Sequence, residues 1–400
     1  MSELVLGLGG TVDYEIAWNS AVIEDLVELY GIGVDELDAR IPVVDERSLV
    51  VTLLAFLRDG VGGERFVASS DIVEAFASRF HTRITLGGTP VRAAIAMRSL
   101  GVTSLVHLVS IDDHVRALLP DGIEYVCSAS ADSTDPHLIV QFAAGATVRR
   151  GAVDLVAPHP NRIIYTNDPP NRELVLSDDL GGALRDAGVF LVSGFNTIQD
   201  ASVLGARVER IRGHLAALPA RAVAIYEDAG YHEPAFSHVV RDALVGQVDV
   251  YSLNEDELFA YLGRTVDLLD ADAIEAALAE ASALIPAACL VIHTKHWSLA
   301  FGDRAADYAA ALRGGIVMAS TRYLIGDGHT AADYARTADL PEKPEGAAVA
   351  AELEERFGSR LVCRPALVLE TERPSTIGLG DTFIGGFIAA LALDSVGARA

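Results

Sequence analysis

Cysteine is scarce in this 400-residue chain. Its three cysteines, Cys127, Cys289 and Cys363, stand far apart among apolar neighbours, which argues against a disulfide framework or a zinc site and for reduced thiols in a core. Basic residues are also few: 31 Lys and Arg face 56 Asp and Glu, a formal net charge of -25. A surface of that sign repels phosphodiester backbones and anionic lipid, so neither nucleic acid nor membrane is an expected partner. No run of about 18 apolar residues is present to cross a bilayer. The start, MSELVLGLGGTVDYE, has neither a basic region nor a cleavage pattern, so a soluble, cytoplasmic protein is expected. The nucleophile elbow GxSxG and the metalloprotease HExxH are both missing, which removes two common hydrolase signatures.

What is present is an alternation of apolar runs and helical periodicity. The length favours one large domain with a smaller companion. Residues 3–9 (ELVLGLG) read as a buried strand with Thr11, Val12 and Asp13 at its carboxyl end, where open α/β sheets bind ligands. Gly7-Leu8-Gly9-Gly10-Thr11-Val12 lacks the last glycine of a dinucleotide fingerprint. Residues 21–30 have helical spacing, and 49–57 (LVVTLLAFL) suit a buried helix or strand. Asp59 to Glu64 is a glycine-rich turn, and a second glycine corner, Gly87-Gly88, opens a helix with Pro90 in its first turn and Gly101 past its end.

From 132 to 177 helical periodicity is lost. Short strand-like pieces at 137–142, 146–148, 155–157 and 162–165, separated by Gly, Pro and Asn, read as an antiparallel sheet attached as a lid. The alternation then resumes, with strands at 189–192, 222–226, 248–253 and 290–293 and helices near 200–217, 235–245, 255–262 and 272–285. That order implies an α/β protein with a mostly parallel central sheet and helices on both faces. Residues 333–346 read as loop, 347–357 as helix and 367–369 as strand. The large domain is placed at 1–40, 86–131 and 178–400, and the lid at 41–85 and 132–177.

Gly378-Leu379-Gly380-Asp381 carries the most chemistry. Two glycines expose backbone N–H groups ahead of a helix, an anion site with a carboxylate at its lip; the plainer reading is a strand-to-helix turn with an Asp cap. Asp13 reads as a hydroxyl-binding carboxylate or a cap. Polar residues gather at strand ends: Glu227-Asp228, Asn254 to Glu257, and His293-Thr294-Lys295. Asn254 with Glu257 three residues on is also a capping-box pattern. A phosphorylated substrate in so acidic a protein needs local positive charge, for which Arg92, Arg149, Arg150, Arg162 and Arg172 are candidates.

In this order, GGTVD ending at Asp13, LGGTPVRAAIAM around Gly87 and Gly88, PNRIIYTNDPPNREL (160–174), SLNEDEL (252–258) and STIGLGDTF (375–383) resemble the ADP-dependent glucokinase and phosphofructokinase family of ribokinase-like sugar kinases. LVIHTKHWSLAFG (290–302) resembles the family's nucleotide-side strand. The resemblance implies a ribokinase-like large domain with a small sheet-rich lid, and transfer of the terminal phosphate of ADP to a hexose or hexose phosphate. Asp381 resembles the general base, and Gly378, Leu379 and Gly380 the anion hole. Glu257 resembles the carboxylate that holds Mg²⁺, with Glu227 serving the same metal. Asp13, Glu64, Gly87 and Gly88 resemble the sugar set, and Asn254, His293, Thr294 and Ile377 the nucleotide set. The family's His-x-Glu is here Ile225-Tyr226-Glu227, which removes the expected partner of the glutamate. Glu64 favours a neutral hexose, whereas Arg92 and Arg162 suit the phosphate of fructose 6-phosphate. An ATP-dependent sugar or nucleoside kinase and a binding relative without turnover are the alternatives.

Overall fold

The apolar runs of the sequence become strands of two separate sheets. The structure is a computed structural model and describes residues 3–371 and 374–397. In chain order the strands are β1 (Leu4–Leu6), β2 (Thr11–Ile16), β3 (Gly63–Phe66), β4 (Thr82–Gly87), β5 (Ser104–Leu108), β6 (Ile123–Cys127), β7 (His137–Phe142), β8 (Thr147–Arg150), β9 (Val153–Val156), β10 (Asn161–Thr166), β11 (Val189–Val192), β12 (Val223–Glu227), β13 (Val250–Asn254), β14 (Cys289–His293), β15 (Trp297–Gly302) and β16 (Leu361–Pro365).

Nine of them form the large sheet, in the order β16-β15-β14-β13-β12-β11-β1-β5-β6. All pairs from β14 to β6 are parallel, and only β15 is reversed, antiparallel to both β14 and β16. Helices cover both faces over two apolar cores, so strands such as β11 and β14 are buried along their whole length and show no alternation. The order reverses at β1, which lies between β5 and β11, and that reversal opens the crevice at the carboxyl ends of the strands.

The smaller sheet runs β3-β10-β7-β2-β4 and is mixed rather than antiparallel: β3–β10 and β2–β7 are parallel pairs. Its strands alternate. Leu138, Val140, Phe142, Ile163 and Tyr165 enter a third core against the helix Glu46–Asp59, while Asp13, Glu64, Arg83 and Arg162 belong to the alternate positions. Those positions reach the large domain: Arg83 pairs with Asp327 at 2.7 Å and Glu64 with His232 at 3.2 Å.

Several expectations are corrected here. Thr11 to Asp13 is not the tail of β1 but part of β2, which crosses into the small sheet, and the helix Ser20–Tyr30 packs in the small core. Segment 49–57 is helix. The span 333–346, expected as loop, holds most of the helix Ala331–Ala338, with Thr330 and Asp333 capping each other, and the start of the helix Pro344–Phe357. Strand β16 lies at Leu361–Pro365, and Leu367 makes only an isolated bridge to Glu342. The helix Ala309–Ile325, absent from the sequence reading, packs so closely on the last helix, Leu379–Gly397, that a Cβ on Gly314 would sit 2.7 Å from the Gly386 carbonyl. Cys289 and Cys363 are buried and all three cysteines are free, as expected. Among the described residues no helix is long and apolar enough to cross a membrane.

Candidate active site

The carboxyl ends of β12, β13 and β14, the Gly378–Asp381 turn and Arg162 from the small sheet line a cleft of about 770 Å³. Gly378, with φ of 65°, lets the chain turn into the helix Leu379–Gly397, and its carbonyl accepts from the Thr382 N–H and hydroxyl. The first N–H groups of that helix have no intrahelical partner, which makes the turn a ready anion site. Asp381 sits in the first turn. The Thr89 hydroxyl donates to its Oδ1 at 2.7 Å, which leaves Oδ2 for an incoming group. Ile377 is buried just before the turn, and its carbonyl accepts from Arg322 Nε at 2.7 Å.

Asp13 reaches the same corner from β2. Its Oδ1 accepts from Thr11 at 2.7 Å and its Oδ2 from Arg92 at 2.8 Å. Gly87 is required there, because a Cβ would fall 2.4 Å from the Asp13 carboxylate. Gly88, with φ of 84°, begins the helix Thr89–Ser99, and a Cβ on it would press on the Gly10 backbone at 2.9 Å. Glu64 lies on the outer strand β3, half-exposed and paired with His232, whose ring packs on Phe66. His137 pairs at 3.0 Å with Asp168, and the carboxylate outweighs burial, raising the imidazole above its usual range.

The expected arginines separate into groups. Arg162 lines the cleft, with Nη1 3.5 Å from the Thr376 carbonyl. Arg92 does not present itself to a ligand: its side chain is 4% exposed and committed to Asp13. Arg149 and Arg150 lie on the β8–β9 hairpin, paired with Asp154 and Glu28, and Arg172 reaches Asn167.

The opposite wall is acidic. Asn254 caps the helix Glu255–Leu262 and forms the capping box with Glu257, so the bland reading of that pattern is physically present, yet both residues line the cleft. Burial pushes the Glu257 carboxyl up to about 8, assisted by the charge of Glu227 and resisted by the Asn254 N–H. Glu227 Oε1 is 3.0 Å from His293 Nε2, and its Oε2 is buried with no hydrogen-bond partner. The partner lost with Ile225 is thus supplied two strands away. Burial disfavours the charged His293 imidazole, but Glu227 prevails and raises it. Its ring stacks on Phe383 at 4.5 Å, which ties the acidic wall to the Asp381 helix. Asp228, next to Glu227, accepts from the hydroxyls of Tyr226, Tyr251 and Tyr261 at 2.8 to 3.0 Å, and this cage fixes the loop. Thr294, Lys295 and Lys343 complete the rim, while Ile316, Ala319, Tyr323, Leu367 and Leu369 supply apolar lining.

Sequence reasoning missed Thr89, His232, Arg322 and Asp327. Thr89 stood inside a quoted motif and had a signal, as a hydroxyl at a helix start. Asp327 and His232 lie in loops whose partners are distant in the chain.

An orphaned Glu227 oxygen beside the Glu257 carboxyl, pushed up chiefly by burial and further by the Glu227 charge, marks a wall short of compensating positive charge. A hydrated Mg²⁺ suits it, since that ion takes one or two carboxylates, water and substrate phosphate oxygens. Among the described residues no ready-made group of three or more metal-ligating side chains is assembled.

A helix start with open N–H groups, a carboxylate beside it and a polar crevice at the switch point of an α/β sheet are parts that a phosphotransferase uses. Residues 2–287 match the model of the ADP-specific phosphofructokinase/glucokinase conserved region, and the chain belongs to that family of ADP-dependent sugar kinases. No curated protein matches this sequence. Among solved structures, a phosphofructokinase from Pyrococcus horikoshii OT3 with AMP superposes with a TM-score of 0.78 at 16% identity, covering 99% of this chain and 98% of that one. A reconstructed last common ancestor of ADP-dependent phosphofructokinases from Methanosarcinales gives 0.74 at 17%, covering 97% and 93%. An ADP-dependent kinase complex with fructose 6-phosphate and ADPβS gives 0.71 at 15%, with the same coverage.

Proposed function

We propose that this protein transfers the β-phosphoryl group of ADP to a hydroxyl of a neutral hexose, releasing AMP. The observation that carries the reading is the meeting, at one corner, of Asp381 with a free Oδ2, the N–H groups of the Gly378–Asp381 turn and the Asp13 carboxylate. The acceptor hydroxyl lies against Asp381 Oδ2 at the cleft side of this corner. Its oxygen bonds to the β-phosphorus, the bond from that phosphorus to the bridging oxygen breaks with its electron pair leaving on AMP, and the hydroxyl proton passes to Asp381. The turn's N–H groups take up charge on the transferred group. Glu227 and Glu257 would hold Mg²⁺, which supplies charge neutralisation to the phosphates when bound. Asn254, His293, Thr294 and Ile377 line or back the nucleotide side, above the apolar wall from Ile316 to Tyr323.

A neutral hexose is favoured because the Glu64 carboxylate stands on the acceptor-side sheet and Arg92 is sequestered. Arg162 supports the second reading, fructose 6-phosphate, as a guanidinium exposed in the cleft. Purified protein is incubated with Mg²⁺, ADP or ATP, and glucose or fructose 6-phosphate, and nucleotide products are followed. AMP release with glucose supports the proposal. AMP release with fructose 6-phosphate alone moves the acceptor, ADP release from ATP reassigns the donor, and no product in any arm refutes the kinase reading.

A further inference from the structure

We infer that Arg92 is the internal counter-ion of the reaction centre, a buried cation beneath the Gly378–Asp381 turn that lets Asp13 and Asp381 both carry negative charge at one corner. The assignment of Asp381 as proton acceptor rests on the proposed function; the charge arrangement does not.

Arg92 is the fourth residue of the helix Thr89–Ser99, and its neighbours Val91, Ala93, Ala94, Ala96 and Met97 are all buried. An arginine is held in such company only by opposite charge. Its Nη2 donates to Asp13 at 2.8 Å, and its Nε lies 3.9 Å from Asp381 Oδ2, the oxygen that Thr89 leaves free. Its Nη1 is buried with no hydrogen bond, 3.9 Å from Asp327. The Gly378 backbone rests directly on this side chain, since a Cβ there would lie 2.7 Å from Arg92 Cδ and 3.2 Å from Nε.

Asp327 stands 3.9 Å from Arg92, as Asp381 does, and is also paired with Arg83 from the small sheet and with Arg322 from the helix Ala309–Ile325. Arg322 acts on Asp381 as well and Glu15 lines the same corner, but Arg92 is the cation that both contacts Asp13 and reaches Asp381. Arg162 is nearer the Thr376 carbonyl, and His293 meets the turn only at Gly380, where a Cβ would lie 3.5 Å from its ring. Burial opposes the charge on Arg92, but Asp13, Asp381 and Asp327 together more than offset it.

Two carboxylates that share one guanidinium lose their common cation when it is removed, and one of them then binds a proton more readily. A protonated Asp381 accepts no proton from the sugar. Arg92→Gln, neutral and similar in length, and Arg92→Lys, still charged, separate charge from packing. Rates with ADP and hexose are followed from pH 5.5 to 9.5 on protein shown to be folded by near-UV circular dichroism. In Arg92→Gln the acid limb of kcat moves up by about 1–3 pH units, so activity is depressed at low pH and recovers at high pH while the KM for ADP stays put. Arg92→Lys keeps the wild-type limb. A folded Arg92→Gln whose acid limb coincides with that of wild type overturns the inference. Should the wild type transfer phosphate from no donor to any acceptor, the proposed function falls, and carboxyl ¹³C NMR of Asp-labelled protein, with Asp381→Asn for assignment, still decides this point. The inference stands if the Asp381 signal titrates at higher pH in Arg92→Gln, and fails if the two titrations coincide.

Discussion

Replacing Gly378 by alanine tests the turn from two directions. With φ of 65°, an alanine pays the left-handed backbone penalty of about 1–2 kcal/mol. The new methyl also lands 2.7 Å from Arg92 Cδ and 3.1 Å from Asp381 Oδ2. Arg92 has no room to yield, because its guanidinium is pinned on Asp13 and its side chain is buried, so overpacking adds about 1–3 kcal/mol. The expected total is about 2–5 kcal/mol. It appears as a lower thermal midpoint, as a displaced turn, or as both. Displacement costs N–H donors to the transferred group, each worth about 10²–10³ in kcat. Gly101→Ala is the control: its φ is 82° with nothing within 4 Å of the added Cβ, so it pays the backbone penalty alone and keeps wild-type kcat. Thermal melting with steady-state kinetics on both variants reads the difference. If Gly378→Ala melts and turns over like Gly101→Ala, the close packing of the turn on Arg92 is refuted.

Asp381→Asn should lower kcat by about 10²–10⁴ while ADP still binds, as measured by calorimetry; retained turnover would remove Asp381 from the proton path. Chelation of divalent cations should abolish transfer, and Glu227→Gln should raise the Mg²⁺ concentration needed for half-maximal rate; a variant with an unchanged Mg²⁺ requirement would place the metal elsewhere. His107, buried with Nε2 accepting from the Ser177 N–H, is held down to about 4 by burial. Its neutral form is favoured by the fold, so this contribution is complete above the unfolded value near 6.5 and is lost as pH falls toward 4. Urea titrations should show about 2 kcal/mol less stability at pH 5 than at pH 7 from this group, and a His107→Gln variant that kept the same pH dependence would contradict the assignment.

Much of the site was legible because its chemistry sits on short local patterns. Glycine corners, a carboxylate after a strand and a capping box need only their own neighbours to be seen. Pairings across the fold did not announce themselves. His293 lies 66 residues from Glu227 in the chain, and nothing local says that it replaces the partner missing at Ile225. Residues 3–13 read as one strand and its tail because Gly7 to Gly10 is too short a break to show that β2 joins a different sheet. The helix Ala309–Ile325 was invisible for another reason. It is buried on nearly all sides, so it lacks the polar stripe that makes helical period readable, and its Gly314-Gly315 pair looks like a breaker when it is a contact surface. The burial of Arg92 was not legible either, because sequence gives a charge without its surroundings.

The contact of Gly314 with Gly386 has a mechanical consequence. One of these helices carries Asp381 at its start, and the other supplies Ile316, Ala319 and Tyr323 to the nucleotide wall. Backbones this close have no side chains between them to slide or repack, so the Asp381 turn and the apolar wall from Ile316 to Tyr323 move as a single stiff block. Under the proposed function, the distance from donor to base is then set before either substrate arrives, and it is the small sheet that has freedom to move against that block.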